Sequence, residues 1–104
     1  MKREIKHHDE KLQADVLALP PGFLARYFHC TGRMVKFGPD LGMTHMLEMS
    51  MGLFELRLKS REAIGRVFYC GLVARKIVML HQFVKKTHKT LPKELLLARK
   101  RIKE

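Results

Sequence analysis

Residues 52–71, GLFELRLKSREAIGRVFYCG, leave the chain very few ways to fold. The first half alternates with period two. Phe54, Leu56 and Leu58 point one way, and Glu55, Arg57 and Lys59 point the other. The second half, IGRVFYCG, reads as another strand, and a short polar turn between two strands makes a hairpin. With residues 60–63 as the loop, Lys59 faces Ile64, Arg57 faces Arg66 and Leu56 faces Val67. One face then collects Phe54, Leu56, Leu58, Val67 and Tyr69 as a core face. A slip of one residue would put Arg66 among the leucines, and register follows the buried face. The four-residue loop is therefore the expected one.

That register makes Arg57 and Arg66 cross-strand neighbours on the face away from the leucines, with Lys59 nearby. Like charges directly opposite cost a few tenths to roughly 1 kcal/mol. Three arrangements accommodate the pair. The two guanidinium groups hold an anion between them, they splay into water, or Glu55 neutralises them. A third strand, KIVMLHQFV, is expected beside the hairpin, and its exit delivers Lys85 and Lys86 to the sheet end. Cations then converge from separate segments, as binding a phosphodiester backbone and stabilising a phosphorane-like transition state both require.

The rest of the chain supplies helices. Residues 9–19 carry Leu12, Val16 and Leu19 at helical spacing, with Asp9 and Glu10 suited to the N-terminal turn. PPG at positions 20–22 breaks this helix. A second helix spans 23–36, with Phe23, Leu24, Tyr27, Phe28, Met34 and Val35 facing inward and Gly32 weakening it. The segment HMLEM suits an edge strand, whereas REIKHH at the start gives no obvious first strand. Residues 92–103 form a last helix, capped by Thr90 and opened by Pro92. Its inner stripe is Leu95, Ala98 and Ile102, and Arg99, Lys100, Arg101 and Lys103 coat the rest. The expected fold is α+β: an N-terminal helical hairpin packed on a small antiparallel sheet meander, then a C-terminal helix, all one domain over 1–104.

Charge narrows the partners. Twenty-one Lys and Arg against ten Asp and Glu give +11, which favours a polyanion. Cys30 and Cys70 sit among apolar neighbours and read as reduced, buried thiols. No Cys/His group has metal-ligand spacing, and the methionines of MTHMLEMSM read as packing, so no metal or cofactor is expected. No run is long enough to span a membrane, and the charged start MKREIKHHDEK lacks an apolar signal region. A cytoplasmic protein without a membrane partner is the expectation.

The ordered set GLFELRLK, GRVFY and KIVMLHQFVKKTHKT before an amphipathic helix resembles the phage-derived HigB-like branch of the RelE/ParE toxin superfamily over residues 47–104. The resemblance implies a type II toxin: a metal-independent endoribonuclease, or mRNA interferase, that cuts messenger RNA, often on the ribosome. Its partner would be a helix-turn-helix, HigA-like antitoxin. The family motifs fall here on Arg57, Arg66 and the pair Lys85–Lys86. This sequence departs from the pattern where Leu91 separates Lys-Thr from Pro92. It also has no tyrosine near the last helix, its two being Tyr27 and Tyr69.

Cleavage by 2′-OH attack needs a base, cationic donors on the phosphate and an acid for the leaving 5′-oxygen. Arg57 and Arg66 suit the phosphate, and Lys85 or Lys86 suits developing charge or the base. His88 is an acid–base candidate by its intrinsic pKa. His81 shares that chemistry but lies in an apolar strand, where a structural histidine is the alternative. Glu55 is either a base or a salt-bridge partner of Arg57. Lys59, Lys89 and Arg99 are candidate RNA contacts, and the terminal ARKRIKE is either an RNA-binding or a solvated face. A ParE-like gyrase inhibitor and a non-catalytic basic nucleic-acid-binding module are the competing readings.

Overall fold

The computed structural model describes residues 3–39, 46–48, 52–60, 63–72, 76–85 and 92–103. The elements run β1 (Glu4–His7), α1 (Glu10–Leu17), α2 (Pro21–Phe37), β2 (Met46–Glu48), β3 (Leu53–Lys59), β4 (Ile64–Leu72), β5 (Lys76–Lys85) and α3 (Pro92–Ile102). The strands form one sheet in the order β1-β5-β4-β3-β2. The β3–β4 register is the expected one, with Lys59 opposite Ile64, Arg57 opposite Arg66 and Leu56 opposite Val67. The strands β2 to β5 make the antiparallel meander, and β2 is the edge strand read from HMLEM.

The sheet carries a core on each face. On one side Leu56, Leu58, Val67, Tyr69, Ile77 and Met79 meet α1 and α2, with Phe54 packed against them. On the other, Leu53, Phe68, Cys70, Leu80 and Phe83 meet Ala98 of α3, flanked by Leu95 and Ile102. Each such side chain fully removed from water contributes about 1.5–3 kcal/mol. The inner stripe expected for α3 is the one observed. Arg101 is not: it turns inward, and its Nη1 donates to the Leu80 carbonyl at 2.7 Å.

α1 begins where Asp9 caps it, Oδ1 accepting the Leu12 N–H at 2.8 Å. Leu12, Val16 and Leu19 are buried, as their spacing requires. The helix ends earlier than expected, at Leu17 with Ala18 as its C-cap, and Pro21 of PPG opens the next one, where its missing N–H costs nothing. In α2 the buried stripe is Phe23, Tyr27, Cys30, Thr31 and Met34. Phe28, expected inside, is 52% exposed, because it sits a helical step of about 100° from Tyr27. Gly38, at φ 101°, closes the helix by donating its N–H to the Met34 carbonyl at 2.8 Å. Arg3 Nη1 donates to the Lys36 carbonyl at 3.2 Å, satisfying another helix-end acceptor.

The missing first strand is a correction. Glu4–His7 pairs in parallel with Lys76–Met79 of β5, so the sheet is mixed rather than purely antiparallel. The strand alternates: Glu4 and Lys6 are exposed, Ile5 and His7 half-buried. Its sequence carries one aliphatic residue, Ile5, too little to register as a strand signal. His7 completes the inward set, its Nε2 lying 2.9 Å from the Tyr27 hydroxyl of α2. Burial holds the His7 pKa below its ordinary 6.5. Below that pH the unfolded chain takes up a proton that the folded chain resists. This contribution to stability is therefore full above pH 6.5 and is lost as pH falls toward the depressed folded value. The urea midpoint should drop between about pH 7.5 and about pH 5.5, and His7→Gln should remove that part of the drop.

Candidate functional site

The site is set by strand register on the α3 side of the sheet. Residues paired directly across neighbouring strands project from the same face. Arg57, Arg66 and Phe83 form one such row across β3, β4 and β5, and Lys59, Ile64 and Lys85 form the next. Glu55, Phe68 and His81 form the row on the other side of the arginines.

A β-bulge puts the third strand in place. The register shifts between Phe68 and Tyr69, so Met79 faces Tyr69 while His81 faces Phe68. Leu80 is the extra residue. If the strand were regular, with no bulge, strict alternation would place His81, Phe83 and Lys85 on the α1–α2 side with Ile77 and Met79. The bulge turns the end of β5 over and brings Lys85 into line with Lys59.

The arginines differ in environment. Arg57 Nε donates to Glu55 Oε1 at 2.7 Å, with 18% of the Arg57 side chain exposed and none of Glu55. This is the salt-bridge alternative for Glu55. Arg66 is fully buried, and its guanidinium carbon lies 5.6 Å from the Phe83 ring centroid. Of the three arrangements open for the pair, the contact with Glu55 is the one observed, and it leaves an inner arginine, Arg66, and an outer one, Arg57. Burial pushes the Arg66 pKa down; Glu55 opposes the shift and Arg57 adds to it. Lys59 and Lys85 are exposed at the sheet end.

His81 is held as a structural residue. Its Nε2 lies 3.1 Å from Glu94 Oε2 of α3, and its ring stacks with Phe68 and Phe83. Arg99 is half-buried on α3, on the same side of the sheet. Lys86, His88, Lys89 and the expected cap Thr90 lie outside the described residues, as does Leu91. Among the described residues no group of His, Cys, Asp or Glu could hold a metal ion, and no helix is long and apolar enough to cross a membrane. The sequence reading passed over Phe83 and Glu94. Phe83 shares a face with His81 by simple alternation and was findable; Glu94 meets His81 across 13 positions and had no local signal.

Residues 14–103 match the family model described as phage-derived protein Gp49-like. The chain belongs to the Gp49-like family. Among solved structures, the Escherichia coli toxin RelE, an arginine-to-alanine double mutant in the free state, matches with a TM-score of 0.68. The match covers 98% of this chain and 99% of that one at 14% sequence identity. The Gp49-like chain therefore has the RelE fold. No curated protein shows significant sequence similarity to it.

Proposed function

We propose that this Gp49-like chain is the toxin of a type II toxin–antitoxin system, in the HigB-like branch, and that it acts as a metal-independent endoribonuclease on messenger RNA in the cytoplasm. The observation that carries the reading is the convergence of Arg57, Arg66, Lys59 and Lys85 from adjacent strands on one face of a RelE-type sheet. Arg57, Lys59 and Lys85 are the groups a phosphate meets from solvent, and Arg66 adds a fixed positive charge from inside. An interior charge acts through a lower dielectric than water and so counts for more. In the proposed step, a base removes the 2′-OH proton and that oxygen attacks its own phosphorus. The P–O5′ bond breaks, and an acid protonates the leaving oxygen, giving a 2′,3′-cyclic phosphate. Lys85, Lys86 and His88 supply the base and acid; Lys59, Lys89 and Arg99 guide the strand. A HigA-like helix-turn-helix antitoxin, contacting through an acidic or amphipathic segment, would silence the basic face.

Induced expression should arrest growth and produce new 5′ ends in cellular messages by primer extension. Both effects should disappear in an Arg57→Ala/Lys85→Ala variant that accumulates as soluble protein. Arrest with intact messages and lost DNA supercoiling would replace this reading with ParE-like gyrase inhibition. Absence of arrest from folded wild type would leave a non-catalytic binding module.

A further inference from the structure

β1 ends the sheet, and no described strand pairs with its outer edge. The His8 N–H donates to the Met79 carbonyl at 2.8 Å, so the even-numbered residues of β1 turn their backbone groups toward β5. Alternation then turns the N–H and C=O groups of Ile5 and His7 outward. An edge of this kind is a template for another strand unless something blocks it. β1 contains no proline and pairs with β5 without a register shift. Lysine commonly protects an edge, and Lys6 stands here, but Glu4 lies two residues before it on the same face. Within one copy the two side chains meet only at 3.9 Å, and both are more than half exposed.

Glu4-Ile5-Lys6 is its own electrostatic complement when the strand is reversed. Two copies of β1 set antiparallel about a two-fold axis offer the same surface to each other. The outward amides allow that axis to fall on Glu4, Ile5 or Lys6. On Glu4 it sets carboxylate against carboxylate, and on Lys6 ammonium against ammonium; like charges directly opposite are unfavourable. On Ile5 it sets Glu4 opposite Lys6 of the other copy, twice over, and Ile5 opposite Ile5. Charge selects this register as the apolar face selects that of β3 and β4. The same register places Arg3 of each copy opposite His7 of the other. Beside His7, on the helix side of the edge, is a recess lined by Ile5, Asp9, Glu10 and Gln13. Asp9 and Glu10 are exposed there. Arg3 lies on that side too, its Nη1 donating to the Lys36 carbonyl of its own α2 at 3.2 Å. A cation thus approaches two acids on one side of the sheet, and Glu4 meets Lys6 on the other.

We propose that β1 is a self-recognising edge, through which two copies of this chain join into a two-fold dimer with one sheet running through both. The inference does not rest on the nuclease reading. Because the axis stands perpendicular to the sheet, both α3 faces, and with them both arginine rows, point the same way. Backbone groups alone would accept any strand. The second copy is singled out by the order acid, aliphatic, base, which complements itself in one register only. Each chain carries +11, so the copies repel at long range, and the contact strand is four residues long. The dimer is therefore weak, with a Kd on the order of 10⁻⁴ M.

The test is sedimentation equilibrium of the full chain at up to about 1 mM, in about 0.15 M salt. Wild type should be mostly dimeric at the top of that range. Glu4→Lys and Lys6→Glu should each weaken the dimer at least tenfold, because each sets like charges opposite one another in every symmetric register. Mixing the two variants should give a heterodimer, since one copy then offers only cations and the other only acids at positions 4 and 6. Glu4→Lys/Lys6→Glu should recover the wild-type dimer. Both side chains are exposed, so the variants should keep the wild-type thermal midpoint. Hydrogen exchange at the Ile5 and His7 amides should slow severalfold as wild-type concentration rises, and should not do so in Glu4→Lys. A wild type that stays monomeric at the highest concentration overturns the proposal and leaves the edge to a different chain. So does a dimer that neither single variant weakens, since the contact then lies elsewhere. Loss in the single variants without recovery in either the mixture or the double variant also overturns it, because the register is then not the one charge selects.

Discussion

Replacing Arg57 with alanine is expected to slow RNA cleavage by about 100- to 1,000-fold in kcat, the cost of removing one preorganised donor from a developing oxyanion. Arg57 is the arginine of the row that still reaches solvent, while Arg66 is fully buried. Its Nε is already committed to Glu55, which fixes the direction of the guanidinium fork. Holding a phosphate therefore requires little further ordering of that side chain. Arg57→Lys keeps a charge but loses the planar fork, and should fall between alanine and wild type. Lys59→Ala or Lys85→Ala should cost less, because each is exposed and screened by solvent. The measurement is single-turnover cleavage of a labelled RNA by purified, folded protein. Truncating Arg57 leaves the Glu55 carboxylate unpaired at that contact, so Arg57→Ala/Glu55→Gln is the control for folding effects. Equal kcat in wild type and all Arg57 variants would remove this residue from the chemistry.

How much of this site was legible in the sequence depended on what fixed each part. The β3–β4 register followed from one apolar face, so the Arg57–Arg66 pairing was legible in the sequence. The inner stripe of α3 followed in the same way from Leu95, Ala98 and Ile102. The contribution of β5 was legible only in outline. Lys85 was expected at the sheet end, but the face it takes depends on the bulge at Leu80, and no turn residue marks that bulge. Period-two counting from Ile77 would have put Lys85 on the wrong side. β1 was missed because its pairing is with a strand some 70 positions away, Glu4 with Lys76, and its own four residues hold one aliphatic. The burial of Arg66 was missed for a related reason. The sequence showed a charged face on the hairpin, but α3 and Phe83 cover part of that face, and which helix packs there is decided by the whole topology.

Glu55 is where that covered charge is balanced, and its replacement by leucine should cost about 3–5 kcal/mol of folding stability, the usual cost of breaking one side of a buried ion pair. The carboxylate has no exposed surface and accepts from Arg57 at 2.7 Å. It is also the group that opposes the burial-driven fall of the Arg66 pKa. An arginine cannot relieve a lost partner by giving up its proton near neutral pH. Removing the carboxylate therefore leaves two like charges in adjacent strands without their shared counter-ion. Glu55→Gln keeps the shape and one acceptor, and should lose less than leucine. Glu55→Leu/Arg57→Leu removes both members of the ion pair and should recover part of the loss, whereas Glu55→Leu/Lys59→Leu should not. The check is urea unfolding of the set at fixed pH and salt, compared at the midpoint with a common slope. A loss below about 1 kcal/mol for Glu55→Leu would place this pair with surface ion pairs and show that the arginine row needs no internal anion. A loss of the expected size would mean that a phosphate entering beside Arg57 competes with a carboxylate the fold itself requires. Tight substrate binding and stability would then be set against each other at a single residue.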